Sequence, residues 1–501
     1  MDGSAAGIST GEYVSGGTVA VPNRRAAQSF RTPARQTILA RGPRPAWLPL
    51  APAQERMWHA TRAGTSSDWN VARAVRISGH AVDLPALAAA IRDVVDRHEP
   101  LRTRYPATTS GPAQVVVPMV GAAIVPDIIM PTESELPCRI AEFAAIPFDL
   151  TTDLPFRARL CVLGPRDVVL ILVVHHISMD GRSVAPLKRD LATAYLARQA
   201  GRAPEWSPLP VDYADYTLWK HAQLGDYSDE WSRATQQLRY WANALAGRPA
   251  VLEFDCARTH PATAPRDTTG ATVPVVFDAA VHRALLRRAQ QSRASLLMVL
   301  QAVFAVVVGA LAGSTDITLA TAVSGREHRL LDDLVGNFAD DVLMRIRLDR
   351  AADVDELLEQ VRRVALAAFA HPDTPNPRLQ RCLLQDASCP LFQATLILQR
   401  GTAPEPACAS PVAITELPTG ATRAKHDLEI GLIERYDRLG APAGVDGVFI
   451  YPTALFDPAT AVEIVALFTA TAGIMADGYR GPLDSLANAS LRAIRDRPGR
   501  G

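Results

Sequence analysis

Two histidines and an aspartate lie close together in His175-His176-Ile177-Ser178-Met179-Asp180-Gly181. Imidazole titrates near neutral pH, so either ring could take or give a proton during a reaction. Asp180 lies four residues beyond His176, where a carboxylate could orient the ring as in catalytic triads. The stretch follows an unbroken apolar run from Val168 to Val174, which predicts a central strand buried on both faces. After it, Val184, Leu187, Leu191 and Tyr195 repeat at helical spacing, with Ser183 as the expected N-cap and Pro186 in the first turn. The two imidazoles are thus expected where a buried strand ends and a helix is about to begin.

A chain of 501 residues is too long for one compact core, so about two or three domains are expected. Apolar residues make up 48% and charged residues 21%, as in a soluble globular protein. Lys plus Arg and Asp plus Glu balance at 52 each, so nothing points to nucleic acid or a membrane as partner. The six cysteines (Cys138, Cys161, Cys256, Cys382, Cys389 and Cys408) form no CxxC pair and read as reduced thiols of a cytoplasmic protein. The N-terminal Met1-Asp2-Gly3-Ser4-Ala5-Ala6-Gly7 lacks the layout of a signal peptide. Ser295 to Gly313 approaches membrane-span length but carries Gln301 and falls short of the usual ~20 residues, so a buried helix is expected. No GxxxxGK[ST], no GxGxxG after a strand, no HExxH and no GxSxG is found, and no histidine shows metal-ligand spacing.

Residues 1–45 are rich in Gly, Ser, Thr, Pro and Arg and read as a mobile tail or a docking segment for a partner protein. The folded part is expected from Pro49 onward. Leu84, Leu87, Ile91, Val94 and Val95 define one apolar face of a helix over 84–98. A strand is expected over 156–162 and a long helix over about 229–246. The later half repeats the style, with strands at 271–277, 316–322, 341–348, 392–399, 426–435 and 445–451 between helices at 279–292, 295–311, 353–370 and 458–475. This is an α+β pattern in two halves without a regular βαβ repeat.

Seven segments in order resemble the condensation domains of nonribosomal peptide synthetases, from about Leu48 to about Leu486. They are Ala53-Gln54-Glu55-Arg56-Met57-Trp58, the stretch from Arg97 to Tyr105, the double-histidine segment, and the stretch from Tyr213 to Trp219. Then come Ser324-Gly325-Arg326 with Val335-Gly336-Asn337-Phe338, His371-Pro372-Asp373, and Ser388-Cys389-Pro390-Leu391-Phe392-Gln393. The resemblance implies two chloramphenicol-acetyltransferase-like lobes arranged as a V-shaped pseudo-dimer, with the histidine motif in a central tunnel. Residues 46–220 would form the N-terminal lobe and 221–501 the C-terminal lobe. An acyl or peptidyl thioester would arrive on the phosphopantetheine arm of a carrier protein. A small-molecule or carrier-bound acceptor would enter from the other side, and an amide or ester would form. The enzyme itself would bind no cofactor or metal, and a monomer is expected.

In these terms His176 is the residue expected to manage the proton of the attacking group, as a base or as a stabiliser of charge. His175 is expected to point into the structure and hold the loop. The family pattern makes Asp180 structural, paired with an arginine of the other lobe: Arg326 first, Arg345 second. Gly181 would let the thioester pass close to the backbone and open a helix whose N-terminus favours an oxyanion. Arg56, Arg182, Ser183, Asn337 and Asp340 are expected near the tunnel, and Arg56 also reads as a lobe-joining ion pair.

The chain departs from the family pattern at Ala51, where serine is usual, and at Arg182, where an aromatic residue is common. The usual FVNT is Phe338-Ala339-Asp340-Asp341, whose two carboxylates would favour a basic or polar acceptor or simply reach solvent. The leading expectation is a freestanding condensation enzyme, because the chain ends near the end of the resemblance and has no adenylation or carrier domain. The alternatives are a coenzyme A-dependent acyltransferase of the same superfamily and a non-catalytic recruitment module that kept the fold. Epimerisation and heterocyclisation relatives fit less well with the RHEPLRTRY segment and the double histidine.

Overall fold

The computed structural model describes residues 42–488, apart from residues 43, 63–65, 80, 110, 122–123, 250, 255, 258–266, 384–389, 402–412 and 421. The expected tail lies almost wholly outside the described residues, as do Ser388, Cys389 and Cys408. Its last part is anchored: Arg44 donates to Glu99 and Asp212, each at 2.9 Å.

The first main sheet holds β1 (Asn70–Ser78), β2 (Asp127–Ile129), β3 (Phe156–Gly164) and β4 (Asp167–His175). The central strand β4 runs antiparallel to β1 and β3, and β2 lies parallel to β3 at one edge. Helices α1 (Pro52–Ala60), α2 (Leu84–Arg97), α3 (Leu136–Ala145) and α4 (Val184–Gln199) supply its two apolar cores. Side chains alternate across a strand, so β4 feeds both. Val168, Leu170 and Val174 pack with Leu87, Ile91 and Leu187. Val169, Ile171 and Val173 pack with Met57, Ile140 and Phe143. Each fully buried aliphatic side chain of this kind contributes about 1.5–3 kcal/mol, so burial on both faces holds the strand in place.

The segment after α5 (Tyr213–Leu224) and α6 (Arg233–Ala244) builds a larger sheet. Its strands are β5 (Thr269–Phe277), β6 (Asp316–Val323), β7 (Asp340–Arg347), β8 (Ala394–Arg400), β10 (Thr422–Arg423), β11 (Leu428–Tyr436) and β12 (Pro442–Pro452), in the order β7-β6-β8-β11-β12-β5-β10. Strand β8 runs parallel to its neighbours β6 and β11. Between β8 and β10 the chain leaves this sheet: β9 (Ala413–Leu417) pairs antiparallel with β1, with Ile414 opposite Ile77. The expected division between residues 220 and 221 falls inside α5, and β9 returns from the later half to the earlier sheet.

Helices α7 (Ala279–Gln291), α8 (Leu296–Ala312), α9 (Val354–Phe369) and α11 (Pro458–Ala476) contribute to the core of the second sheet, and α10 (Asn376–Leu383) follows α9. Every residue of α8 from Met298 to Gly309 is buried, so the long apolar stretch is a core helix of this layer. The Ser295 hydroxyl accepts the Met298 amide at 3.2 Å to start it, and Gly313, at φ +57°, ends it.

Candidate active site

Strand β4 ends at His175, and His176–Ser178 form a single tight turn. His175 continues the face of Val169, Ile171 and Val173, so its ring falls into the core beside α1. It is fully buried and stands edge-on to Phe148 at 6.1 Å. Nδ1 accepts the Ile177 amide at 3.1 Å, which leaves the proton on Nε2. Nε2 then donates to Thr61 Oγ1 at 3.3 Å, and Thr61 donates on to the Met57 carbonyl at 2.8 Å. Burial holds the ring neutral, with its pKa pushed down to about 3.

Asp180 is engaged elsewhere and makes no hydrogen bond to His176. Its Oδ1 accepts the Ser183 amide at 2.9 Å, the Ser183 hydroxyl at 2.7 Å and Arg326 Nη2 at 3.0 Å. Its Oδ2 accepts the Phe338 amide at 3.2 Å. The Arg326 guanidinium also donates to the carbonyls of Leu331 and Leu334 and lies 4.1 Å from the Phe338 ring centroid. The orienting role open to Asp180 from spacing alone is therefore absent, and a lock between two chain segments takes its place. Ser183 belongs to the same lock. It is fully buried, its Oγ accepts from Arg326 and from the Gly336 amide, and it gives α4 no side-chain cap. Ser183 stands at the expected N-cap position of α4, but the capping bond is made one turn earlier, by Asp180 to the short turn Gly181–Ser183.

The His176 ring is different. It is partly exposed, and Nδ1 is buried with no hydrogen-bond partner from another residue. No described residue hydrogen-bonds Nε2. Trp69 stands edge-on to it at 6.3 Å. The Trp69 ring carries a cation on each of two contacts, Lys425 Nζ at 4.7 Å and the Arg56 guanidinium at 5.5 Å from its centroid. Burial, then Lys425, then Arg56 hold the His176 pKa well below its ordinary value. The ring is neutral at physiological pH, with one nitrogen free to accept a proton.

Arg56 joins α1 to the start of β7. Its Nη1 lies 2.9 Å from Asp341 Oδ2 and its Nε 3.4 Å from Asp340 Oδ1. Asp340 is 5% exposed and does not reach solvent, and burial pushes its pKa up to about 7. Asn337 is fully buried; its side chain reaches the Ala53 carbonyl at 3.4 Å, and its own carbonyl accepts the Tyr213 hydroxyl. Gly181 is exposed, and a methyl group on it would meet only Gln399 Nε2 at 3.6 Å, so protein packing does not demand glycine there.

Two expected site residues stand elsewhere. Arg345 is paired with Asp316, Nη2 to Oδ2 at 2.6 Å, and donates to the carbonyls of Ala246 and Gly247, so it is no partner of Asp180. Arg182 is a surface residue with 59% side-chain exposure, 3.6 Å from Asp332. Sequence reasoning missed Trp69 and Lys425. Trp69 immediately precedes β1 and Lys425 lies in the short link between β10 and β11, and neither position carries any other signal.

The α+β fold, with its histidine pair at the end of a central strand, is of the chloramphenicol-acetyltransferase-like class. A condensation-domain family model matches residues 46–486, and the chain belongs to that family. Among curated relatives it is 40% identical over 430 residues to the probable non-canonical nonribosomal peptide synthetase CymA of Salinispora arenicola, covering 85% of this chain and 5% of that protein. It is 39% identical to the isonitrile lipopeptide synthase of Mycobacterium tuberculosis, covering 84% of this chain and 17% of that protein. It is also 39% identical to the dimodular nonribosomal peptide synthase of Bacillus subtilis, covering 84% of this chain and 18% of that protein. The chain thus spans less than a fifth of the length of these relatives. Among solved structures, the X-domain from teicoplanin biosynthesis superposes with a TM-score of 0.78 at 30% identity, covering 89% of this chain and 98% of that one.

Proposed function

We propose that this chain catalyses condensation: it transfers an acyl or peptidyl group from a carrier-bound phosphopantetheine thioester to an amine or hydroxyl acceptor. The carrying observation is the neutral His176 ring, partly exposed at the end of β4, with Nε2 free of any protein partner among the described residues. The acceptor's nitrogen or oxygen bonds to the thioester carbon, the C–S bond breaks, and the acceptor's proton passes through Nε2 to the departing thiolate. The thioester is already activated, so the chain's contribution is positioning and management of one proton. An uncharged ring can accept that proton; a ring protonated beforehand could not.

Within this reading two lobes form a V around a tunnel, with Gly181 leaving room at its wall for the thioester. The chain acts as a cytoplasmic monomer on donors delivered in trans, and brings no cofactor or metal of its own. The test is product formation from an acylated carrier protein against the same acyl group on coenzyme A. Turnover with the carrier alone supports the reading. Turnover with coenzyme A alone favours a coenzyme A-dependent acyltransferase.

A second reading has a specific observation behind it. The X-domain from teicoplanin biosynthesis is also known in complex with OxyB, and that structure matches with a TM-score of 0.80 at 31% identity. In this reading the fold recruits a partner enzyme. Unchanged product formation after His176→Ala would favour it.

A further inference from the structure

Behind the Asp180–Arg326 lock lies a cavity of about 210 Å³, lined by Asp340, Lys220, Arg326, Glu327, Asp373 and Tyr216 together with an apolar wall. Pro52, Val323, Phe338 and Phe369 form that wall. Sites for whole drug-sized ligands run to about 300–1,000 Å³, so this cavity suits one side chain.

Its charges do not balance. Lys220 is placed between Asp373 at 2.5 Å and Glu327 at 2.8 Å, and Arg233 also reaches Asp373 at 2.9 Å. Arg326 is matched by Asp180, and Arg56 sits closer to Asp341 than to Asp340. Of the groups that line the cavity, two are cations, Lys220 and Arg326, and three are carboxylates, Glu327, Asp340 and Asp373. The least well matched is Asp340: Arg56 Nε lies 3.4 Å from its Oδ1, and its Oδ2 is buried without a hydrogen-bond partner. An unpaired buried carboxylate oxygen is costly and is normally satisfied by a donor. The cavity sets a carboxyl group with an unpartnered oxygen at an apolar sleeve, which disfavours an anion and leaves a wholly apolar group with nothing to offer Oδ2. An alkylammonium group fits both, with methylenes against the wall and a charge-assisted N–H to the carboxylate.

We propose that this cavity receives the primary ammonium group of one condensing substrate and holds it on Asp340. The assignment rests on the condensation reading above and adds a substrate class to it. The ammonium could belong to the acceptor or to the donor.

The test loads ornithine and norvaline in turn on the same phosphopantetheine arm, once as acceptor and once as donor, and measures kcat/KM for each. One arm should favour ornithine at least tenfold, and Asp340→Asn should erase that preference in the same arm. Turnover with equal rates in both arms, or a preference that survives Asp340→Asn, overturns the proposal and leaves the condensation reading standing. Absence of turnover with every pair counts against the condensation reading, and the cavity is then read by binding alone. Millimolar 1-aminobutane, but not 1-butanol, should raise the melting temperature of the wild-type chain and raise that of Asp340→Asn less. Equal shifts in the two proteins would overturn the assignment.

Discussion

Asp180 Oδ1 and Arg326 Nη2 meet at 3.0 Å across 146 residues of sequence, with both side chains at 2% exposure or less. Every acceptor of this aspartate is spent on the lock: Ser183, Arg326 and the Phe338 amide. Removing one member of a buried pair leaves an uncompensated charge and costs about 3–5 kcal/mol. Asp180→Ala and Arg326→Met should each lose that much in urea unfolding. The double replacement Asp180→Leu with Arg326→Met should recover most of it, because no charge is then stranded. A double variant as weak as the sum of the singles would show that the pair does not act as a unit.

The two histidines should separate by what each replacement damages. His176→Ala removes a partly exposed ring that no other residue hydrogen-bonds, so stability should change by less than about 1 kcal/mol. Acyl transfer from a carrier-bound donor should fall about 10²–10⁴-fold. His175→Ala strands the Ile177 amide and empties a buried site, at a cost of about 1–3 kcal/mol before any effect on rate. Parallel unfolding curves and rate assays check both. Equal loss of stability in the two variants would contradict the division of labour.

The apolar run that becomes β4, the stripe on α2 and the Asp180–Arg326 pairing were all legible in the sequence. Each rests on a strong local period or on a family pattern. What failed depended on where a side chain's hydrogen bonds went. Ser183 has the chemistry of an N-cap, but its hydroxyl is bound to Asp180, Arg326 and Gly336. Arg345 is the right residue type for a carboxylate partner, but Asp316 lies beside it on the neighbouring strand. Strand β9, with Ala413, Ile414, Thr415 and Glu416 exposed, is held by backbone pairing to β1 and leaves no apolar alternation to read. Trp69 and Lys425 meet only because the start of β1 and the β10–β11 link, far apart in sequence, come together next to His176.

Two buried groups should pull stability in opposite directions with pH. The pKa of His175 falls from the ordinary 6.5 to about 3, so below 6.5 the unfolded chain binds more protons and stability is lost as pH falls. The pKa of Asp340 rises from 3.8 to about 7, so between those values the folded chain binds more protons and stability is lost as pH rises. Asp340 is faced by Arg56 from α1 and Asp341 on its own strand, and it shares its cavity with Lys220 of α5, Arg326, Glu327 and Asp373. Asp340→Asn removes the second effect alone. Its stability relative to wild type should rise by up to about 1.4 kcal/mol per pH unit between about pH 4 and about pH 7, read from denaturant curves at stepped pH. A gap that stays constant across that window would mean Asp340 is ionised throughout.

Lys425 gives the sharpest handle on the proton-transfer role of His176. After burial, its charge is the largest influence holding the His176 pKa below 6.5, and no carboxylate among the described residues lies within salt-bridge distance of its Nζ. For the wild type, kcat/KM should stay flat as pH falls through 6.5, because the ring is still neutral there. Lys425→Met removes the repulsion, so the His176 pKa rises and the acidic limb of the profile moves to higher pH. Lys425→Arg keeps the charge and should leave the limb near its wild-type position. A purely structural lysine would lower the whole profile without moving the limb. A limb that stays fixed in Lys425→Met while the plateau falls would therefore mean that the titrating group is not His176.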